Sequence, residues 1–143
     1  MPMNDQVSDW RELETFSMGD SPALADQLAA LVLADIKTAT CCAASDGAPT
    51  EVGKRMVLLS GSGQPVAVIE TVELILRCFD EVDAEFAYDE GEGDRTLEYW
   101  RDAHRRYFTR LGQYAAPNML LYCKRFQVVE RIAQGDQHRH QPS

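Results

Sequence analysis

The chain has 143 residues, of which 45% are hydrophobic and 26% charged, a composition typical of one compact globular domain. Its 14 Lys and Arg against 23 Asp and Glu give a formal charge of −9, which argues against a protein that coats duplex nucleic acid. No apolar run approaches the roughly 20 residues that cross a bilayer, and the N-terminal residues lack a secretory signal pattern. The four cysteines show no C-x-x-C spacing, so we expect a cytoplasmic protein with reduced thiols, no membrane association and no structural zinc.

The first helix is predicted to begin at Ser21-Pro22, a capping residue followed by proline at the first helical position. Apolar residues then recur at helical spacing and define one buried face: Leu24, Leu28, Leu31 and Val32. The pattern ends at residues 35–37, just before a β-branched segment.

Two β-rich runs follow, at residues 56–60 and 65–71, and Gly61-Ser62-Gly63 between them indicates a hairpin. The second run continues as a strand to residue 76, with a bend expected near Glu70. Because Glu70 ends an apolar strand, we expect it to have a cationic partner such as Lys37 or an arginine.

The last third of the chain predicts a short helix opened by Asp80, a longer helix from residue 95 to Gly112 and a closing strand at 119–130. The inner face of the longer helix is predicted to carry Leu97, Trp100, His104, Tyr107, Phe108 and Leu111. This order of elements predicts an α+β fold, a small sheet or partial barrel flanked by helices.

A lysine and two hydroxyls, Lys37, Thr38 and Thr40, gather at the exit of the first helix. Such a group can hold an anion or activate a nucleophile. The alternative is a solvated lysine at a helix C-terminus, where positive charge is favoured, followed by residues entering a strand.

An acidic loop with interleaved glycines occupies residues 89–94 (DEGEGD). Its carboxylates can supply a general base, an acid of raised pKa or oxygen ligands for a hard cation. The alternative is a solvated loop whose Asp94 caps the next helix. Acids this close repel one another, which favours a cation or a partner nearby.

Trp100 and Arg101, followed one turn later by His104, are the third candidate group. Trp and Arg side by side can stack on a base or hold a phosphate. The alternative places Trp100 in the core, pairs Arg101 with Glu98 or Asp94 and makes His104 a satisfied buried histidine.

At these residues the sequence resembles the ASCH (activating signal cointegrator homology) family, most of all its stand-alone bacterial members. The matching segments are residues 16–22 (FSMGDSP), 31–40 (LVLADIKTAT), 65–71 (PVAVIET), 79–82 (FDEV), 86–101 (FAYDEGEGDRTLEYWR) with His104, and 123–129 (CKRFQVV). They cover residues 16 to 130. We therefore expect an N-terminal extension at 1–15, an ASCH domain at 16–132 and a polar tail at 133–143.

The resemblance implies a PUA-like β-barrel with flanking helices and a cleft that binds RNA, a nucleoside or a nucleotide. One family member looks like an amidohydrolase of N4-acylated cytidine that uses Lys, Thr and Glu, and another is described as a ribonuclease. The catalytic residues would then be Lys37, Thr40 and Glu90, with Glu92 as the fallback.

In this scheme Thr40 attacks the acyl carbon and Lys37 takes its proton or stabilises the oxyanion. Glu90 acts as acid or base, with a pKa that we expect Glu92 and Asp94 to raise. We expect the substrate to contact Thr38, Glu92, Asp94, Trp100 and Arg101.

We expect no cofactor, and a divalent metal only if the protein is a ribonuclease. The alternative to an enzyme is a non-catalytic module for single-stranded RNA, monomeric or dimeric in either case. Two positions depart from the family pattern: Asp35 replaces a usual glycine, and Lys124 stands where relatives tend to carry an acid.

Overall fold

The computed structural model describes residues 9–113 and 115–133. Its strands are β1 (Thr15–Phe16), β2 (Ala39–Ala43), β3 (Arg55–Leu59), β4 (Pro65–Cys78) and β5 (Leu120–Arg131). Its α-helices are α1 (Pro22–Leu33), α2 (Ala84–Glu90) and α3 (Leu97–Arg110). The predicted hairpin, two main helices and closing strand are all present. The two-residue strand β1 was not predicted, and β2 was anticipated only in the alternative in which the residues after Lys37 enter a strand.

The five strands form one sheet in the order β1-β3-β4-β5-β2. The pair β1–β3 is parallel, and the other three pairs are antiparallel. Phe16 on one edge strand and Thr40 on the other line the same cavity, so the sheet curls strongly. The α+β class is confirmed. The described strands leave two sheet edges, so the expected barrel is not closed.

Helix α1 covers one face of the sheet. The Ser21 side chain accepts a hydrogen bond from the Leu24 backbone N–H and Pro22 occupies the first turn, as the sequence predicts. The core beneath this helix consists of Met18, Leu28, Ala29, Val32, Leu58, Val66, Ala67, Ile69 and Phe126. Because α1 is held against the sheet along this face, the segment that follows it starts from a defined position.

Helices α2 and α3 cover the opposite face, around Phe79, Phe86, Trp100 and Phe108. The helix predicted to open at Asp80 is instead a 3-10 turn, Phe79–Glu81, and α2 begins three residues later with Asp83 as its cap. The Asp83 carboxylate accepts the backbone N–H of Phe86 at 2.9 Å, which caps the helix at this later position.

Helix α3 begins at a threonine cap rather than at the acidic loop itself. The Thr96 hydroxyl accepts the Tyr99 N–H at 3.1 Å, and Asp94 supports Thr96 by accepting its hydroxyl proton at 2.6 Å. Leu111, predicted to be on the inner face, is 45% exposed because it follows the helix, while Gly112 turns the chain with φ of 79°.

Strand β4 bends where the register with β5 shifts, between Thr71 and Glu73, close to the bend predicted at Glu70. Glu70 is half-buried, and its expected partner is an arginine: Arg55 Nη2 lies 3.7 Å from Glu70 Oε1. Lys37 is engaged elsewhere.

The expected extension and tail lie partly outside the described residues. Trp10 and Leu13 pack on a small cluster of Val57, Val68 and Ile132, so the end of the extension belongs to the folded body. The tail at 133–143 falls outside the described residues except for its first position. Among the described residues, no helix combines the length and apolarity that crossing a bilayer requires.

Candidate functional site

The most unusual side chain in the structure is a fully buried lysine. Lys37 is 1% exposed and follows α1 in the turn that leads into β2. Its ammonium donates to Glu90 Oε1 at 2.9 Å, to Glu92 Oε2 at 2.8 Å and to the Glu90 backbone carbonyl at 3.2 Å. An ammonium has three N–H donors, so these contacts use all of them.

A single glycine lets both carboxylates reach this ammonium. Gly91 ends α2 in the left-handed conformation, with φ of 73°. A Cβ at that position would lie 2.6 Å from the Ile36 carbonyl oxygen. Glycine is therefore required both by the backbone conformation and by the close approach of the lysine segment. Because the chain reverses at Gly91, the side chains of Glu90 before it and Glu92 after it both point towards Lys37.

The segment around Lys37 is also tied to α2 through its backbone. The Thr38 N–H donates to the Asp89 carbonyl at 2.7 Å. The Arg95 guanidinium donates to the Tyr88 and Ile36 carbonyls at 3.0 and 3.3 Å. These contacts hold the two loops in register, so the position of Lys37 relative to the carboxylates is built into the fold.

Charge coupling sets the protonation of the buried pair. Burial alone would lower the pKa of Lys37, but the attraction of Glu90 and Glu92 outweighs it and raises that pKa above its usual value. Burial alone would raise the pKa of Glu90, but Lys37, then His104 and the Trp100 hydrogen bond hold it below its usual value. At neutral pH the pair is an ammonium and a carboxylate.

Two side chains of α3 complete the surroundings of Glu90. Trp100 Nε1 donates to Glu90 Oε2 at 3.0 Å, and the His104 ring stacks on Trp100 with centroids 4.1 Å apart. His104 Nε2 lies 3.7 Å from Glu90 Oε2, while its Nδ1 is 2.9 Å from the Trp100 carbonyl oxygen. Trp100 thus fixes the orientation of the carboxylate, and His104 lies beside the same carboxylate oxygen.

A cavity of about 470 Å³ opens beside this cluster. It lies on the α1 face of the sheet and extends round β2 to α3. Its lining includes Phe16, Leu28, Thr40, Glu90, Glu92 and His104. The half-buried Thr40 hydroxyl has no hydrogen-bond partner among the described residues, so it is free to meet a ligand. The volume falls in the range of small-molecule sites, about 300–1,000 Å³.

A second buried lysine lines the same cavity. Lys124 lies directly opposite Thr40 in the antiparallel register of β2 and β5, so both side chains project from one face of the sheet. It is 4% exposed, and no carboxylate in the described part of the chain pairs with it. Burial, with a smaller contribution from Lys37, lowers the pKa of Lys124 to about 8.

Three potential metal ligands also meet near the carboxylate. One ligand atom each from Cys41, Glu90 and His104 lie within 4.8 Å of one another. Burial raises the pKa of the Cys41 thiol well above its usual value, so the thiolate that binds metal is disfavoured. The Lys37 ammonium, 2.9 Å from the same carboxylate, would repel a dication. We therefore assign no metal to this cluster.

The comparisons with known proteins agree with this architecture. The family model of the ASCH domain matches residues 14–130. The chain belongs to the ASCH-domain family. No protein with a curated description matches its sequence.

Two solved structures resemble this ASCH domain closely. A crystal structure of an ASCH domain from Lactobacillus crispatus JV V101 superposes with a TM-score of 0.78 at 28% identity, covering 90% of this chain and 87% of that one. A protein from Enterococcus faecalis V583 superposes with a TM-score of 0.77 at 27% identity, covering 91% and 84%.

Asp35, a position where the family resemblance led us to expect glycine, has an unusual backbone conformation. Its φ is 61°, in the left-handed region that glycine adopts most easily. Its carboxylate accepts from Arg131 Nη2 at 2.9 Å. The exposed ion pair contributes little, so Asp35 holds a turn that favours glycine with small compensation.

The structure brings some of the expected site residues together and leaves others apart. Thr40, Glu90 and Glu92 line the cavity, Lys37 binds both carboxylates, and Trp100 holds Glu90. The remaining three expected residues lie elsewhere.

The Thr38 hydroxyl faces the Asp89 carbonyl at 3.4 Å, and Asp94 supports the cap of α3. Arg101 is not part of the cavity lining and forms no ion pair within the described residues, so the pairing with Glu98 or Asp94 is not seen.

The expectation that Glu92 and Asp94 raise the pKa of Glu90 is wrong. Glu92 shares the Lys37 ammonium, and Asp94 turns away to Thr96, so the cation dominates the environment of Glu90. The expectation that Lys37 takes a proton fails for the same reason, since its pKa is raised.

Lys124 was not predicted to be a site residue. It shares two-residue spacing with Tyr122, Phe126 and Val128, which marks a core-facing position in a strand, and a lysine there is a detectable anomaly.

Removing the buried ammonium should destabilise the domain strongly. Lys37→Met leaves Glu90 buried without its counter-charge, and we expect a loss of about 3–5 kcal/mol in the free energy of unfolding. Combining it with Glu90→Gln should cost clearly less than the sum of the two single changes. Urea unfolding of the four proteins at pH 7 measures this coupling. Additive losses would contradict a direct Lys37–Glu90 interaction.

Removing the charge of Lys124 should stabilise the domain, in contrast to removing that of Lys37. Lys124→Met removes a buried charge that has no carboxylate partner, so we expect the variant to be more stable at pH 7, by about 2 kcal/mol. Lys124 loses its proton near pH 8 when folded and near its usual value of 10.5 when unfolded. Unfolding therefore takes up a proton between these values, and the wild type gains stability relative to the variant as pH rises.

Urea unfolding of wild type and Lys124→Met at pH 7 and pH 10 tests this. The advantage of the variant should shrink at the higher pH. An advantage that is constant or grows would contradict the assignment.

Proposed function

We propose that this ASCH domain is a hydrolase that cleaves an amide bond of a small N-acylated nucleoside or nucleotide. The observation that supports the proposal most is the Lys37 ammonium, held by two carboxylates next to a cavity with a free Thr40 hydroxyl. Three residue types suited to acyl transfer thus meet here: the hydroxyl nucleophile and the cation from one segment, and a carboxylate 53 positions after the lysine. The family resemblance supplies the acylated cytidine as the model substrate.

Glu92 is the contact that a substrate displaces. All donors of Lys37 are occupied, so an acyl carbonyl can reach the ammonium only where an existing acceptor leaves. The Glu92 side chain is 24% exposed and lines the cavity, whereas that of Glu90 is 2% exposed. The acyl oxygen takes the place of the Glu92 carboxylate on Lys37 and receives its N–H.

With the acyl group so placed, the Thr40 oxygen attacks the carbonyl carbon and its proton passes to the Glu90 carboxylate. The charge that develops on the acyl oxygen is stabilised by Lys37, which stays protonated throughout. The tetrahedral intermediate collapses, the C–N bond breaks, and the proton on Glu90 goes to the leaving amine. Water then attacks the acyl-threonine ester, giving the carboxylic acid and the free hydroxyl.

A second candidate, binding of single-stranded RNA without catalysis, rests on the arginines of α3. Arg105 pairs with Asp102 and Arg110 with Asp20, but Arg106 at the cavity has no ion pair among the described residues. One arginine without a carboxylate partner at a cavity can bind the phosphate at the end of an RNA strand or of a single nucleotide. The charge of −9 disfavours a long polyanion over the rest of the surface.

The test is hydrolysis of N4-acetylcytidine by the purified protein, measured as the amount of cytidine released over time. Thr40→Val should lower kcat/KM by at least about 100-fold because the nucleophile is lost, and Glu90→Gln by about 100-fold or more because the base is lost. Glu92→Gln should keep kcat within about tenfold, since its carboxylate leaves before the chemistry. Thr109→Val and Glu85→Gln, exposed residues outside the cavity, are the matched controls.

The same assay separates the competing functions. No turnover by the wild type would contradict the amidohydrolase. Turnover that survives Thr40→Val would contradict the threonine nucleophile. If kcat/KM falls more in Glu92→Gln than in Glu90→Gln, Glu92 rather than Glu90 is the general base. Activity abolished by a chelator, together with cleavage of single-stranded RNA, would point instead to a metal-dependent ribonuclease.

A further inference from the structure

Lys124 and Lys37 lie at the same cavity but differ in their hydrogen-bond partners. Lys37 has every N–H donor filled by protein oxygens. Lys124 is 96% shielded from solvent, and no hydrogen-bond acceptor among the described residues receives its N–H groups. Its neighbours are aromatic: the ammonium lies 4.6 Å from the centroid of Phe16 and 5.8 Å from that of Phe126.

Aromatic faces tolerate a cation but do not accept its hydrogen bonds as an oxygen does. Among the described residues, Gln113 Oε1 is the only polar side-chain atom that is both fully buried and without a hydrogen-bond partner. The Lys124 nitrogen also has no such partner in the described part of the chain, so it is not fully buried and keeps some access to solvent. The ammonium therefore opens to the cavity that Lys124 lines. Its unused donors face the space in which a ligand would sit.

We propose that Lys124 binds a phosphate group of the molecule that occupies this cavity, so that the ligand is a nucleotide rather than an uncharged nucleoside. The inference deepens the proposed function, on which its nucleoside part rests. A buried ammonium without a counter-charge costs stability, and an anionic ligand removes that cost by supplying the missing acceptors.

The charges of the cavity favour phosphate over a singly charged group. A phosphate monoester carries about two negative charges at neutral pH. Lys124 and Arg106 are two lining cations without a carboxylate partner in the described part of the chain, whereas Arg110 is engaged by Asp20 at 3.0 Å. Lys124 lies directly opposite Thr40 in the β2–β5 register, so a phosphate bound to Lys124 would lie on the same side of the sheet as the proposed nucleophile. Burial leaves the pKa of Lys124 at about 8, so the ammonium persists at neutral pH.

The experiment measures binding of three probes at fixed ionic strength by titration calorimetry: inorganic phosphate, cytidine and cytidine 5′-monophosphate. The wild type should bind the monophosphate at least about tenfold tighter than cytidine, and Lys124→Met should reduce that ratio to near one. Inorganic phosphate should bind at least about tenfold more weakly to the variant. Lys54→Met, which removes an exposed lysine paired with Glu14, is the control and should bind like the wild type.

The outcomes are distinct. Equal affinity of the wild type for cytidine and its monophosphate, or a ratio that survives in Lys124→Met, would overturn the proposal. Phosphate binding that requires Lys124, without binding or turnover of the acylated nucleoside, would support the anion site and remove the proposed function. Thermal unfolding confirms that Lys124→Met is folded, and Lys124→Gln repeats the test with a polar side chain.

The source of the phosphate can be separated with two short RNA strands, one with a 5′-phosphate and one with a 5′-hydroxyl. If the free mononucleotide is the ligand, the two strands should bind alike and more weakly than the monophosphate. If an RNA end is the ligand, the phosphorylated strand should bind tighter, by a margin lost in Lys124→Met. Both results support phosphate binding by Lys124, and equal binding of all probes would overturn it.

Discussion

The buried ammonium of Lys37 is the interaction on which the rest of the site depends. Taking a lysine and a glutamate out of water costs several kcal/mol per ion, and the structure offsets this with short contacts to two carboxylates and a carbonyl. These contacts join the exit of α1 to the end of α2. Gly91, which Ile36 approaches too closely for any side chain, is the backbone feature that allows them. The site is therefore a product of how two loops pack.

The two lysines at the cavity illustrate what a counter-charge does. Lys37 keeps its proton because Glu90 and Glu92 surround it, which suits a permanent cation that stabilises developing negative charge. Lys124 lies among aromatic rings with no counter-ion among the described residues, and burial brings its pKa down to about 8. The charge of Lys37 is satisfied by the fold, and we propose that a ligand phosphate satisfies that of Lys124.

Local patterns were sufficient for the Ser21-Pro22 start of α1, the hairpin around Gly61 and the long strand β5, but they started the helix after β4 too early, at Asp80. The two-residue strand β1 is too short for periodicity to show it. Lys37 and Glu90 are 53 positions apart, so only the family resemblance brought them together beforehand. The resemblance carried residue identities but not charge states, which depend on burial and distances in the folded chain.

The most direct test of this account is the titration of the lysines by NMR, with carbon and nitrogen labels on their side chains. The chain has three lysines, Lys37, Lys54 and Lys124, so each signal can be assigned by one substitution. The account predicts that Lys37 remains an ammonium beyond its usual pKa of 10.5, while Lys124 titrates near 8. A Lys37 signal that titrates below 10.5, or is already neutral at pH 7, would contradict the charged cluster at the centre of the site.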